Sequence, residues 1–456
     1  MPNASRERYI RMTTAPIPGL VSRLAVPTII SMLVTSFYNM ADTFFVGRIG
    51  TSASAAVGVV FSLMSVIQAF GFFFGHGSGN YISRALGRND DEDARRMAAT
   101  GFFCALIAGV ILAAVGQCFL HPLARFLGST ETILPYAVDY MRIILIGAPW
   151  MMASLVLNNQ LRFQGSAFYG MIGIASGAVL NIGLDPLLIF VFDMGIAGAA
   201  LATIVSQLVG FCLLLAGTHR GGNLQIRIKN FSPTPRYLKA IVNGGMPSLC
   251  RQGLNSVGVI FLNQGAGVYG DAAIAAMSIV SRIMMFISSC VIGFGQGFQP
   301  VCGYCYGAKK YDRVREAFWF CVRTATVFLC VAAALAYALA PQLVEIFRKG
   351  DAEVVAVGRV ALRAQCLALP LLGWVTLCNM MMQTIGKSVR ASILAMARQG
   401  LFFVPAVLIL PQFFGLFGLQ ISQPVADVIT FAVSIPLQLS VFREMGREQA
   451  AVAQNS

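Results

Sequence analysis

The chain has 456 residues, of which 57% are hydrophobic and 11% are charged, and its net charge is +14. The hydrophobic share is far above the average of soluble domains, which excludes a soluble globular protein. The positive charge does not indicate nucleic-acid binding, because the basic residues lie in short connections between apolar runs.

Apolar runs of twenty or more residues recur along the whole chain, and that length crosses a bilayer as an α-helix. No hydrophilic stretch is long enough to fold as a separate soluble domain. The sequence therefore predicts an all-α polytopic membrane protein in a lipid bilayer. Twelve spans are predicted, at residues 24–46, 54–80, 98–118, 136–157, 166–190, 194–216, 240–266, 273–300, 318–338, 358–381, 392–412 and 416–440.

The basic residues are unevenly divided between the two sides of this twelve-span arrangement. The side that holds both termini is rich in arginine and lysine. By the positive-inside rule that side is cytoplasmic, which predicts an inner-membrane protein with both termini in the cytoplasm. The polar N-terminal tail carries no cleavage site typical of a signal peptide. The opposite side holds Arg48, Arg125, Arg142, Arg348, Lys349, Arg359 and Arg363.

The first half of the chain repeats in the second half at an offset of 220 residues. Pro27 and Gly87, for example, match Pro247 and Gly307. An even number of spans in each copy makes the two repeats parallel, with a central cavity expected between them. The predicted divisions are an N lobe at residues 1–220, a cytoplasmic linker at 221–239 and a C lobe at 240–456.

A short charged stretch follows the second predicted span of each copy. In the first copy, Asn89 or Asp90 can cap a helix, which we predict to lie along the membrane face. Cys302 and Cys305 have the spacing of a redox or metal pair. They are more often small packing residues, since there is no second pair and no histidine nearby.

Carboxylates inside the predicted spans are rare, and each is a candidate for function. Asp42 follows Tyr38 by four residues and Asp185 follows Asn181 by four, so each pair shares one helix face. Burial away from water disfavours the charged form of a carboxyl group, which then takes up a proton or a cation. Pro186 removes a backbone N–H and can break the helix beside a cavity. For Asp42, an interfacial position without a function is the alternative.

The second copy lacks these acids. Tyr38 is matched by Gly258 and Asp42 by Leu262, while Asp185 falls opposite an apolar eleventh span. A duplicated scaffold with acids in one copy predicts a symmetric frame that carries an asymmetric ion site.

These features resemble the multidrug and toxic compound extrusion (MATE) family over residues 15–445. The resemblance rests on the two six-helix repeats, on Asn181-x-x-x-Asp185-Pro186, and on a first span ending in Asn39-Met40-Ala41-Asp42-Thr43-x-Phe45-Val46-Gly47. It implies two lobes around a central cavity and secondary active antiport, in which cationic or amphipathic compounds leave as H+ or Na+ enters. No other cofactor is expected, and a monomer is expected.

By its motifs, the resemblance implies that Asp42, Asn181 and Asp185 couple the ion. It implies that Tyr38, Tyr140 and Thr203 complete the N-lobe site, and that Na+, if it is the ion, binds at Asp42, Asn181, Asp185 and Thr203. Some branches of the family carry a second cation site on the seventh and tenth helices. Here the seventh span offers Arg251, Gln252 and Asn255 and the tenth has no acid, so that site is not predicted.

A second set of residues is predicted to line the substrate cavity. Gln207 and Asp427 are repeat partners on the sixth span of each copy, where hydrogen bonding between helices is the alternative role. For the methionine of the set, packing between helices is the alternative. The set consists of Gln207, Gln423, Asp427, Asn255 and Met284.

A different function is transport of a lipid-linked sugar by a flippase of the same broad superfamily. Such a protein needs a basic cavity for pyrophosphate, which Arg251 and Arg282 could supply. Catalysis is not predicted, because the three histidines are far apart and no Walker motif is present.

Overall fold

A computed structural model describes residues 2–347 and 350–454, and these residues contain helices and turns but no strand. Arg348 and Lys349, which the topology argument placed on the less basic side, lie outside the described residues. The α-helices are α1 (Pro2–Thr14), α2 (Ile17–Gly47), α3 (Thr51–Gly87), α4 (Asp91–Cys118), α5 (Leu120–Phe126), α6 (Leu134–Phe163), α7 (Ala167–Pro186), α8 (Gly195–Thr218), α9 (Pro235–Gly267), α10 (Asp271–Gly307), α11 (Tyr311–Ala338), α12 (Ala340–Phe347), α13 (Ala352–Thr384), α14 (Ser388–Met396), α15 (Phe403–Phe414), α16 (Leu416–Gln420) and α17 (Ser422–Gln454).

The described residues include 11 helical segments that are long and apolar enough to cross a membrane. The seventh predicted span corresponds to α9, which has 33 residues and is therefore long enough to cross as well. α9 is more polar than the others because it carries Arg251, Gln252 and Asn255. The prediction of an all-α polytopic protein is confirmed.

Two of the spans are interrupted by a short π-helix. The fifth span continues from α7 into a π segment at Leu187–Val191, directly after Pro186. The eleventh span consists of α14, a π segment at Ala397–Leu401 and then α15. Proline cannot donate the hydrogen bond that continues an α-helix, which explains the change of helix type after Pro186.

The prediction of a separate helix along the membrane face is wrong. Asp90 does cap a helix, since its side chain accepts a hydrogen bond from the Asp93 backbone N–H at 3.0 Å. That helix is α4, which continues without a break to Cys118 as the third span. The charged stretch is therefore the first turn of a long helix, because nothing in the sequence stops it before the apolar run begins.

The two lobes meet through matching surfaces. A Cβ atom added at Gly87 would overlap the Tyr304 carbonyl oxygen, and one added at Gly307 would overlap that of Arg84. Gly87 and Gly307 are repeat partners, and so are Arg84 and Tyr304. If each residue is replaced by its repeat partner, the first contact becomes the second. The two lobes are therefore related by a twofold axis, as expected for two parallel repeats.

The lobes are sealed at the end of the bundle that carries most of the arginines, which we name the basic end. Asp93 of α4 accepts hydrogen bonds from the hydroxyls of Tyr81 at 2.7 Å and Tyr237 at 2.8 Å, and Arg88 and Arg236 lie 3.4 Å away. Because Arg236 and Tyr237 belong to α9, this cluster joins the two lobes.

Hydrogen bonds between the lobes also occur in the middle of the bundle. The Thr28 hydroxyl of α2 donates to the Gly293 carbonyl oxygen of α10 at 2.6 Å. The hydroxyl oxygens of Ser36 in α2 and Ser289 in α10 lie 3.4 Å apart. These two helices therefore join the lobes from the basic end to the middle of the bundle.

Candidate functional site

The N lobe brings all six predicted ion-coupling residues into one cluster, which we name the acid cluster. They come from four helices that are distant in sequence. The hydroxyl of Tyr38 lies beside Thr203 and Gln207, and Tyr140 lies within electrostatic range of both carboxylates. The members are Tyr38 and Asp42 on α2, Tyr140 on α6, Asn181 and Asp185 on α7, and Thr203 on α8.

The Asn181 amide holds the Asp185 carboxylate in place. Both side chains are buried, and Asp185 has no exposed surface. With its amide nitrogen facing the acid, Asn181 donates a hydrogen bond to Asp185 Oδ2 at 3.0 Å. Its amide oxygen then accepts from the Thr203 backbone N–H at 3.3 Å. The spacing of four residues therefore places the two side chains together on one face of α7, against α8.

The carboxylates of the acid cluster have no basic partner among the described residues. Asp42 and Asp185 lie within electrostatic range of each other, and no arginine or lysine acts on either. One oxygen of each, Oδ1, is buried and takes part in no hydrogen bond within the described chain. Two carboxylates close together, one fully and one partly buried, disfavour each other's charged form unless a counter-ion is present. The acid cluster is thus built to take up a proton or a metal cation.

The arrangement of donors bears on which cation fits. The described residues contain no group of three or more His, Cys, Asp or Glu side chains placed so that they could hold a metal ion. Sodium would need oxygen ligands from the two acids, the Thr203 hydroxyl and Asn181. The Thr203 hydroxyl donates to the Ala199 carbonyl oxygen at 3.0 Å, so its lone pairs remain available. Rotation of the Asn181 amide decides whether it offers a donor or an oxygen ligand to Asp185, so the acid cluster can take up either a proton or Na+.

A cavity within the N lobe extends from the acid cluster toward the basic end. Along α6 it runs from Met151 to Arg162, which is about 16 Å at the helical rise per residue. Tyr38, Asn181 and Thr203 line one end of it, and Arg162 lines the other. Its remaining polar lining consists of Thr35, Asn39, Gln68, Ser154, Asn158, Asn159, Ser206, Gln207 and, from the C lobe, Gln296.

The residues predicted to line a substrate cavity are dispersed. Gln207 lines the N-lobe cavity beside Tyr38. Gln423 donates to Asp427 Oδ1 at 2.9 Å, so this pair makes a hydrogen bond within α17. Asn255 is exposed on α9, and Met284 packs against the apolar core of the C lobe.

Two arginines have roles that the sequence argument missed. The eleventh span is not apolar, because its π segment carries Arg398, whose Nε lies 2.9 Å from Asp427 Oδ1. Arg162, which stands between the fourth and fifth predicted spans, is 2% exposed. Its Nη1 donates to Gln299 Oε1 in the C lobe at 3.2 Å. An arginine just after an apolar run reads as a topology signal, and only the packing of the lobes reveals its burial.

Comparison with known proteins identifies the family. The MatE family matches residues 27–187 and 247–408, one segment in each repeat. This chain belongs to the MatE family. The resemblance found in the sequence is therefore confirmed, and the protein is a multi-pass membrane transporter of a family that is not an enzyme family.

Relatives and solved structures match along nearly the whole chain. The multidrug export protein MepA of Staphylococcus haemolyticus is 26% identical over 430 residues, which is 94% of each chain. MepA of Staphylococcus saprophyticus is 28% identical over 407 residues, covering 89% of this chain and 90% of the relative. An outward-facing multidrug resistance MATE transporter of the MOP superfamily superposes with a TM-score of 0.91 at 26% identity, over 96% of this chain and 98% of the other. The prediction of two repeats in a MATE-like fold is confirmed.

Proposed function

We propose that this protein exports small cationic or amphipathic compounds, drugs among them, in exchange for H+ or Na+ that enters through the acid cluster. The similarity to multidrug export proteins over most of both chains supports the transport of drugs. The observation that carries the coupling is the pair of carboxylates, partly buried Asp42 and fully buried Asp185, without a basic partner among the described residues. Such a pair binds a cation more readily than it remains empty.

Coupling follows from how the ion changes the N lobe. Neutralising Asp42 and Asp185 removes their mutual repulsion and lets α2 pack more closely against α7 and α8. A ligand shifts an equilibrium between two conformations by its difference in affinity for them. The ion therefore favours the conformation in which these helices lie together, and the cavity that the substrate occupies changes with it.

We further propose that the basic end faces the cytoplasm and that both termini lie there in the bacterial cell membrane. The excess of arginine and lysine at that end supports this orientation. In that orientation the seal at Asp93 and at Gly87 closes the protein toward the cytoplasm. A single chain contains both lobes and the whole acid cluster, so a monomer suffices for transport.

The test is dye efflux by purified protein in liposomes under H+ and Na+ gradients that are imposed separately. We expect transport with at least one of the two gradients, because Asp42 and Asp185 have no basic partner among the described residues. Asp42→Asn and Asp185→Asn should abolish it, and Asp139→Asn, at an exposed acid of α6, should not. Efflux at the wild-type rate by either Asn variant of the cluster would refute the coupling role.

The lipid-linked sugar flippase remains a second candidate because Arg251 lies within electrostatic range of Arg162 and Arg398. Arg282, the other basic residue considered, is exposed on α10. A MOP superfamily transporter from Pyrococcus furiosus, whose structure is described as having a binding pocket of reverse polarity, superposes with a TM-score of 0.90 at 26% identity. Tight binding of a polyprenyl pyrophosphate with no efflux of cationic dye would favour this function over drug export.

A further inference from the structure

The base of the N-lobe cavity holds a buried arginine whose charge is not neutralised. Arg162 is 2% exposed and lines the cavity. Its guanidinium donates to Gln299 at 3.2 Å and to Asn159, and its central carbon lies 4.8 Å from the centre of the Phe163 ring. All of these partners are neutral. No carboxylate of the described chain acts on this guanidinium.

A second arginine adds to the positive charge at this place. Arg251 of α9 lies within electrostatic range of Arg162 and of Arg398. Arg398 has its own acid, Asp427, whereas no acid within the described residues acts on Arg251. Two like charges held close together away from water are costly, and an anion placed beside them lowers that cost. Charged residues inside a membrane protein usually face a cavity or a partner.

The other end of the same cavity lies next to the acid cluster. Tyr38 and Asn181 line it there, and the carboxylates of Asp42 and Asp185 lie behind them, without a basic partner in the described chain. One continuous space therefore extends from the edge of the acid cluster to Arg162. A molecule with groups of both charges would find a complementary group at each end.

We propose that Arg162, supported by Arg251, forms a binding site for the anionic group of a transported molecule, a carboxylate or a phosphate. The preferred substrates are then amphoteric, with the anionic group at Arg162 and the remainder extending along the cavity toward the acid cluster. This inference rests on the proposed export function and specifies its substrate class. It does not depend on which ion drives transport.

The experiment compares a rhodamine that carries a free carboxylate with the methyl ester of the same dye. Binding is measured by fluorescence anisotropy on full-length protein in nanodiscs of phosphatidylcholine, with no gradient. Wild-type protein should bind the free acid about ten-fold more tightly, as expected for hydrogen bonds to a charged group. Arg162→Gln and Arg251→Gln should bring the two affinities together. Arg162→Lys should keep part of the preference, because the charge remains.

Arg282→Gln is the matched control, because it removes an exposed arginine of the C lobe and should leave the preference unchanged. An unchanged preference in both Arg162→Gln and Arg251→Gln would overturn the proposal, and so would equal affinities in wild-type protein. A structural role for Arg162 would weaken the binding of both dyes alike. If Arg162→Gln fails to insert, the proposal is tested on wild-type protein by competition. Inorganic phosphate should displace the bound free acid but not the bound ester.

A further set of binding measurements distinguishes a lipid headgroup from a free anion as the occupant of the site. Nanodiscs with phosphatidylglycerol should weaken binding of the free acid selectively if lipid headgroups reach the site. Equal displacement of both dyes by phosphate or by phosphatidylglycerol would overturn the anion site. The assay also separates this proposal from the export function. A protein that exports the ester through Asp42 but shows no charge preference keeps the export function and loses the anion site.

Discussion

Replacing Asp185 by asparagine should separate transport from stability. The substitution keeps the size of the side chain, and the new amide oxygen can still accept the hydrogen bond from Asn181, now 3.0 Å from Asp185 Oδ2. Losing the charge from that bond costs about 1 kcal/mol. Removing one of two buried like charges offsets this cost. The free energy of unfolding should therefore change by about 1 kcal/mol or less, while ion-coupled efflux is lost.

Asp93→Asn should instead lower the free energy of unfolding. Asp93 is also buried, but its carboxylate has four partners, which are Tyr81, Tyr237, Arg88 and Arg236. Asp93→Asn weakens two bonds from tyrosine and two from arginines that are 44% and 68% exposed, and solvent screens the latter pair. We expect a loss of about 2 kcal/mol. The apparent Tm should fall by about 2 °C, against about 1 °C or less for Asp185→Asn, because the shift per kcal/mol is small for a chain of 456 residues.

Both variants can be compared with a thiol-reactive dye that becomes fluorescent on unfolding. Cys302, Cys305 and Cys378 are buried and unpaired, so they react when the bundle opens. Efflux is measured on the same preparations in liposomes. The reasoning fails if Asp185→Asn lowers the melting temperature as much as Asp93→Asn. In that case Asp185 holds the fold together, and its lack of a basic partner has no bearing on coupling.

Three further outcomes are expected. Gly87→Ala should part the lobes at the basic end, because its Cβ would overlap the Tyr304 carbonyl, and thiol labelling of the buried Cys302 should rise several-fold. Asn181→Ala should reduce efflux by about ten-fold or more without loss of the folded protein, since it removes the donor that orients Asp185. Removing Arg398 or Asp427 alone should cost about 3 kcal/mol, and Arg398→Met with Asp427→Leu together should cost less than either, as read by thermal unfolding.

The spans and the acid pairs were predictable because each depends on local features of the sequence. A run of apolar residues suffices to predict a span, and a spacing of four suffices to place Asn181 beside Asp185. The packing of α2, α6, α7 and α8 around the acid cluster does not follow from local features of the sequence. Tyr140 lies about a hundred residues from Tyr38 in sequence, and only the family resemblance placed it in the acid cluster.

The contacts between the two lobes could not be predicted from the sequence. Asp93 sits in a charged stretch with several neighbours of both signs, and nothing in that stretch indicates that Tyr237 of the other lobe contacts it. Arg162 stands directly at the end of an apolar run, where an exposed arginine is common. Its burial follows from α10 of the C lobe, which supplies Gln299. Contacts between the lobes are set by packing, and a single sequence does not reveal them.

The repeat shows which residues of the C lobe stand where the N lobe has its cavity. With the offset of 220 or 221 residues, Arg398 corresponds to Gly177 or Ala178, and Asp427 corresponds to Gln207. Those N-lobe residues line the cavity. In the C lobe the equivalent positions hold an ion pair, with Nε and Oδ1 2.9 Å apart.

The charges of the two lobes are therefore balanced in different ways. In the C lobe, arginine supplies the cation that its aspartate needs, and Leu262, the counterpart of Asp42, packs into an apolar core. In the N lobe, glycine and alanine leave room, and Asp42 and Asp185 have no basic partner within the described residues. Under the proposed function, the N-lobe carboxylates draw their counter-ion from solution. Because that ion can leave again, the lobe without an internal pair is the one that can couple ion binding to movement.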